Sequence, residues 1–248
     1  ETAASLTQDG HHVTMVFPED YMMERLFTPK LSQFFERYYI DRGITFIKGC
    51  TVERFDKTSS EQVRVVLSNG QTLDADLIVA GIGAKPNLSI IQDTPIKVDE
   101  GVIVNNRLET SVTDVYAAGD IANFYDSIFD KRCRIEHWQN AVDMAKYTAR
   151  EMLGIVQDDF QTLRYFFSDI FDLSYEFWGD MSESNNILHI GNFEKPSIGI
   201  WWIMSNRIVA ALLINRPDEE REKAQNWIRD KNTIDPKDFV ESISILSA

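Results

Sequence analysis

The sequence predicts an α/β fold, in which helix alternates with strand through the first part and antiparallel strands close the chain. Three observations carry that expectation. Apolar residues recur first at helical spacing and then in short β-branched runs, with connections of a few residues between them. Asn-Gly and Ser-Asn pairs separate neighbouring apolar runs at hairpin spacing. The 248 residues are 44% hydrophobic, enough to bury a real core in one large domain or two smaller ones.

Residues 1–10 read as the back half of a helix stopped by Gly10. With no Met start and no N-cap residue before it, the chain is expected to be a fragment. Residues 11–17 are a β-branched run, a strand that Pro18 ends because proline cannot donate to a sheet ladder. Thr28-Pro29 opens a helix with proline at its first position, and Leu31, Phe34, Phe35, Tyr38 and Tyr39 recur at helical spacing up to Arg42-Gly43. A second strand at 44–48 completes the rhythm of a doubly wound sheet. Residues 52–55, 63–67 and 72–74 form a β-meander, with a tip near 57–62 and a turn at Asn69-Gly70. Residues 77–80 are expected to be a short buried strand, ending in the turn-rich crossing Gly81-Ile82-Gly83-Ala84-Lys85-Pro86-Asn87. The first domain boundary falls there.

Short strands then alternate across 96–110, with turns at Glu100-Gly101 and Asn105-Asn106. Residues 115–118 are expected to be a final buried strand carrying Gly119-Asp120 at its carboxyl end. Ala141, Ala145, Ala149 and Leu153 mark a helix from Trp138, closed by Gly154. A third unit begins near Gln157. Strands are expected at 175–178, 187–190, 198–204 and 208–214, with a turn at Ser205-Asn206. A charged helix at 217–230 and a short helix at 236–246 follow.

Composition narrows the function classes. No apolar run approaches the roughly 20 residues a membrane helix needs, and the first residues lack the basic and apolar regions of a signal peptide. A net charge of −14 argues against binding a phosphate backbone. Cys50 and Cys133 form neither a CxxC motif nor a four-ligand zinc site, so no metal is expected. They fit a reducing, cytoplasmic setting.

Four segments offer chemistry. The first is Thr110-Ser111-Val112-Thr113-Asp114-Val115-Tyr116-Ala117-Ala118-Gly119-Asp120-Ile121-Ala122. Small residues deliver a glycine where backbone must approach a ligand, and then a carboxylate able to accept a hydrogen bond from a ribityl hydroxyl. The amides of Ile121 and Ala122, at a helix N-terminus, can face a pyrophosphate or flavin edge. A bare Gly-Asp pair would read better as a strand followed by an Asp N-cap, but the pattern as a whole closely resembles the second FAD-binding motif of the pyridine-nucleotide flavoprotein reductases.

The second is Val16-Phe17-Pro18-Glu19-Asp20, followed by Arg25-Leu26-Phe27-Thr28-Pro29. An acidic residue past the second strand of a Rossmann unit is where the ribose of NAD binds, although a solvated acidic turn has the same spacing. This segment resembles monodehydroascorbate reductases and the related apoptosis-inducing factor. The resemblance implies that Glu19 binds the adenosine ribose and favours NADH, its carboxylate repelling a 2′-phosphate. Glu1 matches the Glu that ends the family's glycine-rich stretch near the nicotinamide, while the glycines before it are absent. Gly83 is counted with the cofactor-binding residues.

The third is Lys131-Arg132-Cys133-Arg134-Ile135-Glu136-His137-Trp138. As bare chemistry, it is a basic cluster beside a Glu-His pair at a helix entry, with no nucleophile to form a triad. The resemblance implies that Glu136, His137 and Trp138 lead a helix whose amides reach the flavin. It also implies that Arg134 meets an anionic substrate such as the ascorbate radical, an oxygen pair that suits a guanidinium fork. Lys131 and Arg132 are read as solvated, unless with Arg134 they make a local basic patch for an acidic carrier.

The fourth is Arg164-Tyr165-Phe166-Phe167-Ser168-Asp169-Ile170-Phe171-Asp172. Phe166 and Phe171 are assigned to the core, and the resemblance makes Tyr165 and Phe167 candidates to face the flavin ring or the acceptor. Arg164 stands where the family commonly carries proline.

The resemblance, spread over most of the chain, implies partial Rossmann-like FAD- and NAD(P)-binding domains plus a C-terminal α+β domain with an antiparallel sheet. Residues 1–81 would be most of an NAD domain, 82–155 the returning part of an FAD domain, and 156–248 the terminal domain. It implies FAD and NADH as cofactors and a small-molecule radical, ferredoxin or rubredoxin as electron acceptor, with no nucleic acid or membrane partner and room for a homodimer. No active-site disulfide takes part. Lacking the amino-terminal FAD motif and the NAD glycine loop, the chain is expected to be inactive alone. The other class of reading is a non-catalytic interaction or dimerisation module.

Overall fold

The computed structural model describes residues 1–58 and 61–233, so the helix expected at 236–246 and part of the meander's tip lie outside the described residues. The chain divides into two compact units. One holds Glu1–Gly83 with the hairpin tip Ile170–Asp172; the other holds Ala84–Asp169 and the chain from Leu173 onward.

The first unit runs α1 (Thr2–Gln8), β1 (Thr14–Phe17), α2 (Pro29–Ile40) and β2 (Thr45–Lys48). β1 and β2 pair in parallel, with Thr14 opposite Thr45 and Phe17 opposite Lys48. α2 starts as its sequence requires: Thr28 is extended, and its hydroxyl accepts the Leu31 N–H at 3.4 Å. Leu31, Phe35 and Tyr39, four residues apart, form its buried stripe, and Phe27 stacks on Phe35 at 4.9 Å. β3 (Val52–Lys57), β4 (Val63–Leu67) and β5 (Thr72–Ala75) make the meander, with Gly70 at φ +84° in its turn.

Residues 77–80 correct the expectation of a buried strand. Leu77 and Val79 are 71% and 60% exposed, and no strand among the described residues pairs with them. Apolar composition alone does not make a strand, because its backbone groups need a ladder to satisfy them.

In the second unit, β6 (Val102–Ile103), β7 (Ala122–Asp126) and β8 (Lys131–Cys133) form a small sheet, parallel between β6 and β7 and antiparallel between β7 and β8. Two further expectations change here. Residues 115–118 form no strand. Left-handed Leu108 and Asp114 fold them back locally, so that the N–H of Thr110 bonds to the Val115 carbonyl and that of Ala117 to the Leu108 carbonyl, with one bridge from Glu109 to Tyr116. Ile121 and Ala122 are not at a helix N-terminus either. The Ile121 carbonyl accepts the Val102 N–H at 2.8 Å and Ala122 opens β7, so β6 takes up this backbone.

α3 (Trp138–Met152) ends at Leu153, with Gly154 left-handed beyond it. β9 (Tyr165–Ile170), β10 (Leu173–Gly179), β11 (Asn186–Asn192), β12 (Ser197–Met204) and β13 (Arg207–Ile214) form an antiparallel sheet in the order β11-β12-β13-β10-β9. Ser205 and Asn206 are both left-handed, which matches their tight turn to the sheet's twist. α4 (Asp218–Arg229) covers one face, packing Ala224 and Ile228 against Trp201 and Leu213.

An ion network fixes the start of edge strand β9. The Arg164 guanidinium lies 2.8 Å from Asp180 and 3.4 Å from Asp126, and Lys131 meets Asp180 at 2.6 Å. Burial pushes the Asp180 carboxyl up, but Lys131, Ser182 and Arg164 together hold it at about 2. Its contribution to stability is complete above the ordinary carboxylate range and is lost as pH falls through about 2. Asp180→Asn is therefore expected to cost roughly 2 kcal/mol near neutral pH. In denaturant titrations, its deficit should shrink as the acid wild type loses the same interaction.

Candidate functional site

The second unit gathers most of the residues singled out by chemistry. Gly119 is left-handed at φ +79°, and a Cβ on it would lie 3.5 Å from the Cβ of Ala141, in the first turn of α3. The Gly119-Asp120 turn therefore sits against the start of that helix. Asp120 is exposed. Arg134 donates from Nη1 to the Asp120 carbonyl at 2.6 Å and pairs through Nη2 with Glu136 at 2.7 Å.

His137 is the extended N-cap residue of α3 and supplies no side-chain cap, so helix dipole and unpaired N–H groups converge beside the turn. Its ring meets Phe166 edge-on at 5.1 Å, while its buried Nδ1 has no hydrogen-bond partner. Burial pushes the imidazole below its ordinary value, against a hydrogen bond to the Tyr165 main chain. Trp138, at the first helical position, is 71% exposed. A left-handed glycine, a free carboxylate, a helix N-terminus and an orphaned imidazole nitrogen can together hold a planar ligand with hydroxyls and a polar, electron-rich edge.

Tyr165 and Phe167 stand elsewhere. Along β9 they alternate with Phe166, so they share the opposite face. Tyr165 stacks on Trp178 at 5.5 Å and gives its hydroxyl to Glu176 at 2.7 Å. It lines a cavity of about 470 Å³ with Gln139, Asp143, Glu176, Trp178 and Arg229. Phe166, assigned to the core from sequence, is the aromatic residue that reaches His137; the alternation of the strand was the signal for it. Gly101 is the other residue that sequence reasoning passed over, having read it only as part of a turn.

Lys131 and Arg132 correct the expectation that they are simply solvated. Lys131 is held by Asp180 and by the Ser182 hydroxyl at 2.9 Å, and Arg132 donates to the carbonyls of Val104 and Asn123. Lys131 and Arg134 are thus paired with carboxylates, whereas Arg132 is exposed, meets only carbonyls and keeps its charge.

Glu1, Glu19 and Gly83 belong to the first unit. Glu19 lies just beyond the carboxyl end of β1, where its carbonyl accepts the Gly49 N–H at 3.3 Å and its side chain comes 3.9 Å from Arg25. That is the edge of a parallel pair at which open α/β sheets bind ligands. Glu1 is the exposed N-cap residue of α1, and Gly83 is left-handed at φ +94°.

Comparison with known proteins shows which families the chain resembles. Residues 1–145 match the model of the pyridine nucleotide-disulphide oxidoreductases, and residues 163–246 that of the monodehydroascorbate reductase 3-like C-terminal domain. Peroxisomal monodehydroascorbate reductase 2 of Oryza sativa subsp. japonica is 37% identical over 240 residues, 93% of this chain and 49% of that protein. Peroxisomal monodehydroascorbate reductase 4 of Arabidopsis thaliana is 38% identical over 229 residues, 90% of this chain and 46% of that protein. The chain thus spans about half the length of these curated relatives. Among solved structures, the covalent putidaredoxin reductase–putidaredoxin complex aligns with TM-score 0.89 and 27% identity, covering 99% of this chain and 61% of that one. A ferredoxin reductase from Rhodopseudomonas palustris aligns with TM-score 0.87 and 26% identity, covering 95% and 58%.

His137 gives the site a pH signature. Its neutral form is favoured in the folded state, so stability falls as pH drops below 6.5, where the unfolded chain takes up the proton first. The His137 ring is expected to titrate below 6.5 in an NMR pH series, and His137→Gln should flatten the decline in stability on the acid side.

Proposed function

Since the chain belongs to the pyridine nucleotide-disulphide oxidoreductase family, we propose that it serves an FAD-dependent NADH oxidoreductase that reduces monodehydroascorbate radical. The observation that carries this reading is the Gly119-Asp120 turn packed against the uncapped N-terminus of α3, with the buried Nδ1 of His137 left unpaired beside it. That arrangement fits FAD. When bound, FAD supplies a hydride acceptor that can give its electrons up singly.

The chain's own residues bind and orient. Asp120 accepts a hydrogen bond from a ribityl hydroxyl, and Gly119 lets the backbone come close. The first N–H groups of α3, at Trp138 and beyond, would hold the flavin's polar edge together with His137, while Glu136 holds Arg134. Phe166 closes the apolar side beside His137. Glu19 takes the ribose hydroxyls of NADH and disfavours a 2′-phosphate, and Glu1 lies toward the nicotinamide. Gly83 gives the crossing into the FAD part its left-handed turn. We assign residues 1–81 to the NAD domain, 82–155 to the FAD domain and 156–248 to the terminal domain. Tyr165 and Phe167 are assigned to the acceptor side of that last domain. Cys50 and Cys133 are free thiols, which suits the reducing, cytoplasmic setting we propose, although the two plant relatives are named peroxisomal.

Charge and likeness favour the radical as acceptor. Lys131 and Arg134 are neutralised by Asp180 and Glu136, so of the three cations Arg132 alone is left to set against a net charge of −14 for an acidic protein carrier. The plant reductases are also closer in sequence than the structural neighbours. A protein acceptor is the second reading, favoured by the likeness to the reductase solved with putidaredoxin. Stopped-flow reoxidation of the NADH-reduced full-length protein should accelerate with the radical and not with a ferredoxin; the reverse would select the protein acceptor. Full-length protein that carries no flavin absorbance and takes up no added FAD would overturn the whole reading. Asp120→Ala is expected to lose FAD, whereas Glu19→Ala should keep it and raise the KM for NADH about tenfold, as for one lost charge-assisted hydrogen bond.

A further inference from the structure

We propose that Arg134 is a positioning residue that clamps the Gly119-Asp120 turn, and that Gly101 is its complement; the inference rests on the flavin reading above. Three contacts make the clamp. Nη1 donates to the Asp120 carbonyl at 2.6 Å, Nη2 pairs with Glu136 at 2.7 Å, and the aliphatic stem crosses the space a side chain on Gly101 would fill. Gly101 is buried, and a Cβ there would meet the Arg134 stem and lie 2.6 Å from the Ile121 carbonyl. Glycine is needed here for close approach rather than for a left-handed backbone.

The clamp joins three distant stretches of sequence. Glu136 lies two residues before α3, Asp120 carries the exposed carboxylate, and Gly101 leads into β6. Binding the Asp120 main chain fixes the turn from behind while its side chain stays exposed. The turn's own hydrogen bonds, from Ala122 N–H to the Gly119 carbonyl at 3.0 Å and from Val102 N–H to the Ile121 carbonyl at 2.8 Å, flank the clamped carbonyl on the side of β6. The Arg134 side chain is only 19% exposed. Two of its donors are already aimed at the turn and Glu136, so its fork is not presented to an anionic acceptor. Its role is to hold the turn that would receive the cofactor.

Amide hydrogen exchange on flavin-free protein tests the clamp directly. Arg134→Met keeps the stem and removes both polar contacts, and should speed exchange at Ala122 and Val102 about tenfold while leaving β13 unchanged. Gly101→Ala should do the same with Arg134 in place. Arg134→Lys keeps a stem and a charge but cannot span both partners, and should fall between. In the flavin-loading protein, Arg134→Met should weaken FAD binding about tenfold with the KM for the radical unchanged. Unchanged exchange at both amides in Arg134→Met and Arg134→Lys would overturn the clamp whether or not FAD binds. A raised KM for the radical with unaltered FAD affinity would overturn it in favour of acceptor binding. Faster exchange in the variants of a full-length protein that takes up no FAD would sustain the clamp and bring down the flavin reading alone.

Discussion

The pairing of β12 with β13 is the contact on which the second unit is built. Ile198 to Ile203 and Ile208 to Ile214 are buried almost without interruption, and such continuous apolar runs are stable only when both faces of a sheet are covered. α4 covers one face. Its first turn is tied to the end of β13 by the buried pair Arg216–Glu220, at 2.6 Å. On the sheet itself, the rings of Phe166, Phe177 and Trp202 pack against one another from β9, β10 and β12. Burying these runs outweighs the cost of ordering them, and each neighbour then takes its register from them. β13 sets β10, and β10 sets the edge strand β9 that carries Tyr165, Phe166 and Phe167. Gly179 lets β10 end tight against β13, since a side chain there would strike the Val209 carbonyl.

Sequence reasoning read best where local chemistry decides the outcome. Thr28-Pro29 begins a helix because a hydroxyl caps it, and Ser205-Asn206 turns because both residues accept a left-handed backbone. Gly119 was legible for the same reason. Reading failed where the outcome belongs to a partner far along the chain. Leu77 to Ala80 look like a buried strand, but strand formation depends on a neighbour that the described residues do not supply. Ile121 and Ala122 look like a helix entry until Val102 claims their backbone. Gly101 is the plainest case: nothing nearby in sequence says that an arginine stem thirty-three residues on will cross it.

Charge shows the same division between composition and placement. The net charge of −14 is a property of the whole chain, but what an electron acceptor meets is local. From sequence, Lys131, Arg132 and Arg134 could have been a docking patch, because three cations in four residues look like one. In the fold each has a separate internal duty. Lys131 holds Asp180, Arg132 holds two carbonyls beside β6 and β7, and Arg134 holds the Asp120 turn and Glu136. Ion pairing cancels the field of Lys131 and Arg134 at the distances over which screened charges steer a partner, while Arg132, bound only to neutral carbonyls, keeps its charge. One remaining charge does little to offset the surplus acidity at this segment.

The aromatic run on β9 divides between two faces, because a strand cannot aim three consecutive side chains at one ligand. Phe166 faces His137 and stacks on Phe177, whereas Tyr165 stacks on Trp178 and is fixed by Glu176. Phe167 shares the Tyr165 face and is 51% exposed. The strand thus separates two tasks that a motif read as letters runs together. One face supports the residues that would hold a cofactor, and the other presents an aromatic surface to solvent. Arg164, anchored by Asp126 and Asp180 immediately before Tyr165, fixes which residue faces which way. A shift of one residue would exchange the two faces, so this buried ion network protects the site's register as well as the sheet's edge.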